Sequence, residues 1–264
     1  MTNESSIINK LPLITLGFWV LKIAATTLGE TGADFFKEDL ELTYMQSSML
    51  MIGCFLVLAS IQIAVKKYVP FLFWAVILST SVYGTAMADC LSRQMKLGYY
   101  WTTLILVSVL AVIFIFWRIT GSTMSVTDIR TRKVEALYWL AILFSNTLGT
   151  AVGDSLDEVG VGFRQSVILI GGIIALVAVL AYVTKISRVL LFWIAFVLTR
   201  PFGATSGDWL TKPVEKGGLN IGTAWPSGTL LAILVIGVIW VMIKLRRQPA
   251  LQPAAVEVEE TPAI

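Results

Sequence analysis

Apolar residues dominate eight stretches of the chain, each about 20 residues long and separated by short polar connections. A helix needs roughly 20 mainly apolar residues to cross the hydrocarbon core of a bilayer. The pattern therefore predicts an all-α fold, a polytopic membrane helix bundle with about eight spanning helices. The predicted spans are 12–33, 44–65, 70–89, 98–118, 135–154, 163–184, 188–208 and 224–244.

A fixed register of residues recurs in the first, third, fifth and seventh of these stretches. A tryptophan is followed ten residues later by a glycine and fifteen residues later by an aspartate, with a small residue just before the aspartate. The pairs are Trp19/Asp34, Trp74/Asp89, Trp139/Asp154 and Trp193/Asp208. Four copies in one register indicate internal duplication. Two helices per copy return the chain to its starting side, so we expect four parallel two-helix repeats with every aspartate at the same membrane face.

The polar connections predict how the chain is organised. Residues 119–134 form the longest of them and separate repeats 1 and 2 (11–118) from repeats 3 and 4 (135–245). Residues 1–10 are a polar N-terminus without a cleavable signal pattern, and residues 246–264 are expected to be a disordered tail. The side of the two termini carries roughly twice as many Lys and Arg residues as the aspartate side. This bias predicts an inner-membrane protein with both termini in the cytoplasm.

Composition supports the membrane class and excludes several functions. The chain is 56% hydrophobic and only 14% charged, with a mean hydropathy of +0.80, whereas soluble domains carry about 25% charge. It has no histidine, and its two cysteines, Cys54 and Cys90, have no paired spacing. We therefore expect no disulfide framework, no zinc cluster and no enzyme activity, because a nucleophile–base pair is missing. No nucleic-acid module is visible.

Polar residues recur on one face of each repeat's first helix. Positions 7, 11 and 15 after the tryptophan are four residues apart, so on a helix they follow one another along a single face. These ladders are Thr26/Glu30/Asp34, Ser81/Thr85/Asp89, Asn146/Thr150/Asp154 and Arg200/Ala204/Asp208, and Lys22 extends the first of them inward. Charged groups against lipid are costly and usually functional. The ladders are therefore predicted to face one another and to line a solute pathway.

The chemistry of the ladders favours a hard cation. Carboxylate, hydroxyl and amide oxygens suit Mn²⁺, Mg²⁺ or Ca²⁺ better than softer metals, and a bound divalent cation is the one cofactor the sequence suggests. The predicted metal ligands are Asp34, Asp89, Asp154, Asp208 and Glu30, and the predicted pathway residues are Lys22, Thr26, Ser81, Thr85, Asn146, Thr150 and Arg200. Whether the repeats enclose one site or two is open at this stage.

The same register also has structural interpretations. The glycine and the small residue before the aspartate form a pattern that allows close helix packing in lipid. The tryptophans are expected to anchor the cytoplasmic interface, and the aspartates could cap helix or loop ends through backbone hydrogen bonds.

Arg200 complicates a cation pathway because a permanent positive charge repels the cargo. One hypothesis is that Arg200 pairs with Glu30 or a nearby aspartate in one state and exchanges that pair for the cation in another. The alternative is a static buried ion pair. Pro201 follows directly and is predicted to kink or break the seventh helix, which would free backbone carbonyls.

Three motif strings resemble a known family. They are Leu28-Gly-Glu-Thr-Gly-Ala-Asp34, Asn146-Thr-Leu-Gly-Thr-Ala-Val-Gly-Asp154 and Thr199-Arg-Pro-Phe-Gly-Ala-Thr-Ser-Gly-Asp208, the last continuing to Pro213. The family consists of bacterial membrane-anchored proteins built from a short repeat of unknown function, usually in four copies. The second copy, Tyr83 to Asp89, departs most, with Ala88 in place of the motif's glycine. The resemblance covers Leu11 to about Leu245 and implies the topology but no substrate.

Three functions remain as expectations. The first is a secondary transporter for Mn²⁺ or Mg²⁺, coupled to protons or membrane potential because the sequence has no ATP-binding motif. The second is a proton-coupled transporter of a small organic anion or another solute, and Arg favours the anion because it is suited to carboxylate recognition. The third is a non-transport role as a membrane sensor or assembly factor. The expected partners are the lipid bilayer and a small ion or solute, and a homo-oligomer is left open.

Overall fold

A computed structural model describes residues 12–65, 67–120 and 131–247, and these residues form helices joined by short loops. The helices are α1 (Leu16–Glu38), α2 (Tyr44–Ala64), α3 (Pro70–Asp89), α4 (Gly98–Ile119), α5 (Arg132–Glu158), α6 (Phe163–Val183), α7 (Arg188–Thr211) and α8 (Ala224–Arg247). A π-helical turn, Cys90–Gln94, continues α3, and a short 3₁₀ turn, Val214–Lys216, follows α7. The predicted all-α class and the eight helices are confirmed.

Seven of these helices are long and apolar enough to cross a membrane, so the chain is a multi-pass membrane protein. The exception is α1, which is equally long but carries Lys22 and Glu30 in its middle. Local signals fix the helix starts. Thr43 caps α2 in a capping box with Gln46, and Pro70 occupies the first turn of α3, where its missing N–H costs nothing.

The eight helices form two concentric layers around one axis. The inner helices α1, α3, α5 and α7 each contact the next in that order, and α7 closes the ring on α1. The outer helices α2, α4, α6 and α8 pack mainly against the first helix of the following repeat, so α2 lies on α3 and α8 returns to α1. The repeats therefore surround one axis and do not form two separate bundles.

Burial follows the same division. The inner helices are largely buried, whereas the outer helices expose large apolar side chains such as Leu56, Ile105, Leu176 and Ile236. Apolar side chains that face outward are favourable against the acyl chains of a bilayer, whereas their exposure to water would be unfavourable. The outer layer is the lipid-facing surface of the protein.

The glycine of the register allows the inner helices to approach closely. A Cβ atom on Gly84 would lie 2.8 Å from the backbone carbonyl carbon of Asn146, which is too close for any real side chain. The same contact occurs at every junction of the ring, between the glycine of one repeat and the first ladder residue of the next. The four contacts are Gly29 with Ser81, Gly84 with Asn146, Gly149 with Arg200 and Gly203 with Thr26. The close-packing interpretation of the register is confirmed.

Eight aromatic side chains close one end of the ring, and we call them the aromatic collar. Each repeat supplies its register tryptophan and the aromatic residue before it, and the latter contacts the tryptophan of the next repeat. The centroid distances are 5.7 Å for Phe18–Trp74, 5.5 Å for Phe73–Trp139, 6.2 Å for Tyr138–Trp193 and 5.7 Å for Phe192–Trp19. Edge-on and tilted contacts of this kind stabilise aromatic clusters.

The collar corrects the interpretation of the tryptophans as interface anchors. Trp74, Trp139 and Trp193 are buried inside the bundle, and only Trp19 is partly exposed. Their large rings fill the space between neighbouring inner helices.

The inner helices continue about one turn beyond the aspartates and so extend a few residues past the predicted ends of their segments. The helix α1 ends at Glu38, α5 at Glu158 and α7 at Thr211, and α3 continues as the π-helical turn. The helix α7 also runs through Pro201 without interruption, so the predicted break is absent.

Some sequence predictions concern residues outside the described ranges. The polar N-terminus 1–10, residues 121–130 of the connection 119–134, and residues 248–264 of the tail 246–264 lie there. Within the described residues, α5 already begins at Arg132 and α8 runs to Arg247.

Candidate functional site

The polar ladders of the four inner helices meet on the axis of the ring and form what we call the polar column. Its members are Lys22, Thr26, Glu30, Asp34, Ser81, Thr85, Asp89, Asn146, Thr150, Asp154, Arg200 and Asp208, and all of them are buried. Contacts join repeats on opposite sides of the ring, such as Lys22 of repeat 1 with Asn146 of repeat 3. The predicted inward orientation of the ladders is confirmed.

Arg200 lies in the middle of the column and is fully buried. Its Nη1 donates to the carbonyl oxygen of Thr26 at 2.9 Å, and its Nη2 donates to Glu30 Oε2 at 3.1 Å and to the carbonyl oxygen of Ser81 at 3.3 Å. The Thr85 hydroxyl also contacts Nη2 and donates to Glu30 Oε2 at 3.0 Å. The pairing of Arg200 with Glu30 is as the sequence predicted, and it ties repeats 4, 1 and 2 together. Its exchange during a cycle stays a prediction.

Lys22 lies one helical turn deeper and is also fully buried. Its Nζ donates to Asn146 Oδ1 over 3.4 Å and lies 4.1 Å from the centroid of the Phe196 ring. The Asn146 amide in turn donates to the Thr80 hydroxyl at 2.8 Å. Among the described residues no carboxylate lies within ion-pair distance of Lys22, so this ammonium has one long hydrogen bond and one aromatic face.

The aspartates of repeats 1 and 4 share one basic partner. Lys212 Nζ lies 2.7 Å from Asp34 Oδ2 and 3.4 Å from Asp208 Oδ1. The Thr211 hydroxyl donates to Asp34 Oδ2 at 3.3 Å. Burial alone would lower the pKa of Lys212, but the carboxylates of Asp208 and Asp34 outweigh it and raise that pKa above its ordinary value. Lys212 is therefore a protonated bridge between the first and last repeats.

The aspartates of repeats 2 and 3 share Arg93 in the same way. Arg93 Nε lies 2.8 Å from Asp89 Oδ1, and Arg93 Nη2 lies 4.0 Å from Asp154 Oδ2. The fourfold ring of helices is therefore reduced to twofold symmetry at its carboxylates. We call Asp34/Asp208 and Asp89/Asp154 the outer pairs.

The two bridging residues are functional candidates that the sequence analysis missed. Arg93 and Lys212 each lie nineteen residues after the tryptophan of repeats 2 and 4, one helical turn beyond the aspartate. Repeats 1 and 3 carry Glu38 and Glu158 at that position. This alternation of charge was visible in the sequence, but it falls in the turn that the predicted spans left out.

The predicted metal ligands do not converge on one point. Within residues 12–65, 67–120 and 131–247, no three acidic or cysteine side chains are placed to share an ion. Thr150, a predicted pathway residue, directs its hydroxyl to the Asn146 carbonyl on its own helix at 3.5 Å. A metal role for Asp34, Asp89, Asp154, Asp208 and Glu30 stays a prediction, and it requires the bridging bases to withdraw from the outer pairs.

The two ends of the column differ. The aromatic collar covers the end beside Lys22, which we call the collar end. The opposite end, the carboxylate end, carries the outer pairs and their bridging bases, with Lys212 21% and Arg93 47% exposed. A cavity of about 360 Å³ lies beside Arg93 and is lined by Lys37, Tyr44 and Gln94 among others. A larger, mainly apolar cavity of about 400 Å³ lies off the axis, between the start of α1 and the end of α8.

Comparison with known proteins finds one kind of similarity. Four segments of the chain, 17–68, 72–123, 137–187 and 191–247, match the Repeat of Unknown Function (DUF347). No curated protein and no solved structure matches the chain significantly. The matched segments coincide with the four helix pairs of the ring.

Proposed function

The chain belongs to the DUF347 repeat family, and we propose that it is a secondary transporter that moves a hard divalent cation, Mn²⁺ or Mg²⁺, along the polar column. One observation carries this proposal. In each outer pair a single basic group lies between carboxylates of two different repeats, which is the position a bound divalent cation would occupy.

Charge supports exchange of the bridging base for a cation. When both carboxyl groups are ionised, the Asp34/Asp208 pair has two negative charges against the single positive charge of Lys212, so one negative charge is left uncompensated. A divalent cation would neutralise the pair completely. Carboxylate oxygens with a nearby hydroxyl, here that of Thr211, are the hard ligands that Mn²⁺ and Mg²⁺ prefer.

The bridging bases have room to withdraw. Lys212 and Arg93 are the partly exposed members of their clusters, whereas the aspartates are buried. A lysine side chain has a flexible four-carbon stem, and Arg93 lies beside the cavity at the carboxylate end. Withdrawal of both bases would leave four carboxylates around the axis for an incoming cation.

The distribution of loop charges supports an orientation for the pathway. The excess of Lys and Arg in the loops at the collar end favours a cytoplasmic collar end and an outward carboxylate end in a bacterial inner membrane. A pathway closed at one end by aromatic rings and at the other by ion pairs suits alternating access, in which one end opens at a time.

Substitution of an outer pair tests the proposal. We expect Asp34→Asn and Asp208→Asn each to weaken Mn²⁺ binding to the purified protein at least about tenfold, because a carboxylate ligand is lost. Calorimetric titration measures the affinity. Glu158→Gln, which removes an exposed acid at the same end of the molecule, is the matched control and should bind as wild type does. Failure of the wild-type protein to bind Mn²⁺ or Mg²⁺ would contradict the proposal.

The buried ammonium of Lys22 favours a second candidate, a transporter of a small organic anion. A carboxylate cargo would supply the counter-charge that Lys22 lacks, and Arg200 lies one turn away. Thermal stabilisation of the purified protein separates the candidates, since a ligand raises stability only if it binds the folded state. A shift with organic acids and none with divalent metals would favour the anion.

A further inference from the structure

We propose that Lys22 is the coupling-proton site and that the protein exchanges a proton on Lys22 for the divalent cation. This inference rests on the proposed function and adds to it the coupling ion, which is a proton, and the residue that carries that proton.

The surroundings of Lys22 supply no counter-charge. From α7 it faces the ring of Phe196 and, one turn away, the guanidinium of Arg200, while α5 presents the amide of Asn146. The helix α3 presents the hydroxyls of Thr80 and Ser81, which bond to that amide. The helix α8, which packs on α1, carries its charged residues only at its end, and they are Lys244, Arg246 and Arg247. On α1 itself the nearest acid is Glu30, about 12 Å along the helix at 1.5 Å per residue.

Glu30 already pairs with Arg200, and it lies too far along the helix to pair with Lys22 as well. Its carboxylate accepts from Arg200 at 3.1 Å and from Thr85 at 3.0 Å. Arg200 also keeps its charge permanently, because a guanidinium is not deprotonated in proteins. Lys22 is therefore the base in the column that can lose its charge, and its deprotonation breaks no ion pair among the described residues.

Loss of the proton is chemically simple at this position. One Nζ–H bond breaks, its electron pair stays on nitrogen, and the proton passes to water admitted at the collar end. The neutral amine still has N–H donors for the Asn146 oxygen and remains in place. Lys22 is the innermost charged rung before the aromatic collar, so opening of the collar exposes it directly to that side.

Electrostatic repulsion prevents the column from holding the proton on Lys22 and the divalent cation at the same time. A cation that leaves the outer pairs for the collar end first passes Arg200, whose charge is balanced by Glu30. It then meets Lys22, whose charge no carboxylate of the described residues balances, and unbalanced positive charges in a low-dielectric column repel strongly. The column therefore holds either the protonated Lys22 or the passing cation. Alternate occupancy by two cations gives antiport, whereas cotransport would need both at once.

Transport in proteoliposomes tests the inference. Mn²⁺ flux is measured as quenching of an entrapped fluorescent dye, and proton flux is measured with an entrapped pH-sensitive dye. In the wild type we expect Mn²⁺ flux to drive protons the opposite way and to accelerate at least about threefold when a pH gradient favours exchange. Lys22→Met and Lys22→Gln remove the positive charge at position 22 in every state, so Mn²⁺ should move without proton flux and without response to the gradient. Lys22→Arg fixes the charge and should slow Mn²⁺ flux at least about tenfold.

Each outcome separates this inference from the proposed function. Mn²⁺ binding to every variant is measured first and serves as the check that it is folded, and Lys185→Gln, in an exposed loop, is the control for the removal of a lysine. Absence of Mn²⁺ flux in the wild type overturns the proposed function and this inference with it. Equal proton flux in the wild type and Lys22→Met overturns the inference alone. So does loss of Mn²⁺ flux in Lys22→Met and Lys22→Gln proteins that bind Mn²⁺ normally.

Discussion

Gly84 shows at the scale of one residue how the ring is held together. It has no Cβ, so the backbone of α5 can approach α3 at Asn146 until the two helices are in van der Waals contact. The approach brings the Asn146 amide to the hydroxyls of Thr80 and Ser81 in the polar column. Close packing and the geometry of the candidate site therefore depend on the same residue.

Replacement of Gly84 by alanine should destabilise the protein by about 1–3 kcal/mol, because a buried backbone contact would be overpacked. Gly172→Ala is the matched control, since its Cβ on α6 would meet nothing within 4 Å and alanine favours helix. Thermal unfolding of the purified protein in detergent measures both. Equal effects of the two substitutions would show that the contact at Asn146 does not limit packing.

Residue spacing predicted which faces of the inner helices are buried, but it could not predict which helix each face contacts. The register indicated that glycines and ladder residues lie on buried helix faces, because spacing determines which residues share a face. It could not indicate that Gly84 meets Asn146, because that contact depends on which helix is the neighbour. The tryptophans were misassigned for a related reason, since a large ring suits both a membrane interface and a buried junction.

At the scale of helices, the decisive feature is the extra turn that follows each aspartate. It carries a basic residue in repeats 2 and 4 and a glutamate in repeats 1 and 3. Lys212 lies at the C-terminal cap of α7, and Arg93 lies in the π-helical turn after α3. The sequence contained the alternation, but the hydrophobic pattern ends at the aspartate, and a span defined by hydropathy stops there too.

Removal of the Lys212 charge should destabilise the protein by about 2–3 kcal/mol, because two buried carboxylates lose their shared partner. The folded-state pKa of Lys212 is raised, so this stabilisation is fully present below the unfolded value of about 10.4 and is lost only as the pH rises through the higher folded value. The difference between Lys212→Met and wild type should therefore stay constant from about pH 7 to 10.

Unfolding temperatures at three pH values in this window check the prediction. Lys216→Met, which removes an exposed lysine four residues further on, is the control and should leave stability unchanged. A difference that disappears between pH 7 and 9 would show that Lys212 is not held as a protonated bridge.

At the scale of the whole molecule, both outer pairs join the two halves of the chain. Asp34 of the first half shares Lys212 with Asp208 of the second, and Asp154 of the second half shares Arg93 with Asp89 of the first. The inner contacts of α1 with α7 and of α3 with α5 cross the same boundary. The polar column exists only when both halves are present.

A chain divided within residues 121–130 should therefore reassemble when its two fragments are produced together. We expect the fragments to copurify in equal amounts, and each alone to be degraded or aggregated, because two inner helices would expose polar faces to lipid. Copurification through a tag on one fragment measures this. Recovery of either fragment alone as a stable, fully helical monomer would contradict it.

The contact between Gly84 and Asn146 has a further consequence for the number of repeats. Every junction of the ring uses the same head-to-tail interface, which joins unlike surfaces of two neighbouring units. In protein assemblies such heterologous interfaces close only when the rotation between units divides a full turn. Here that rotation is a quarter turn, so the interface requires a ring of four repeats, whether they lie on one chain or on several. A protein with two copies of this repeat would have to close the same ring as a homodimer, and one with three copies could not close it.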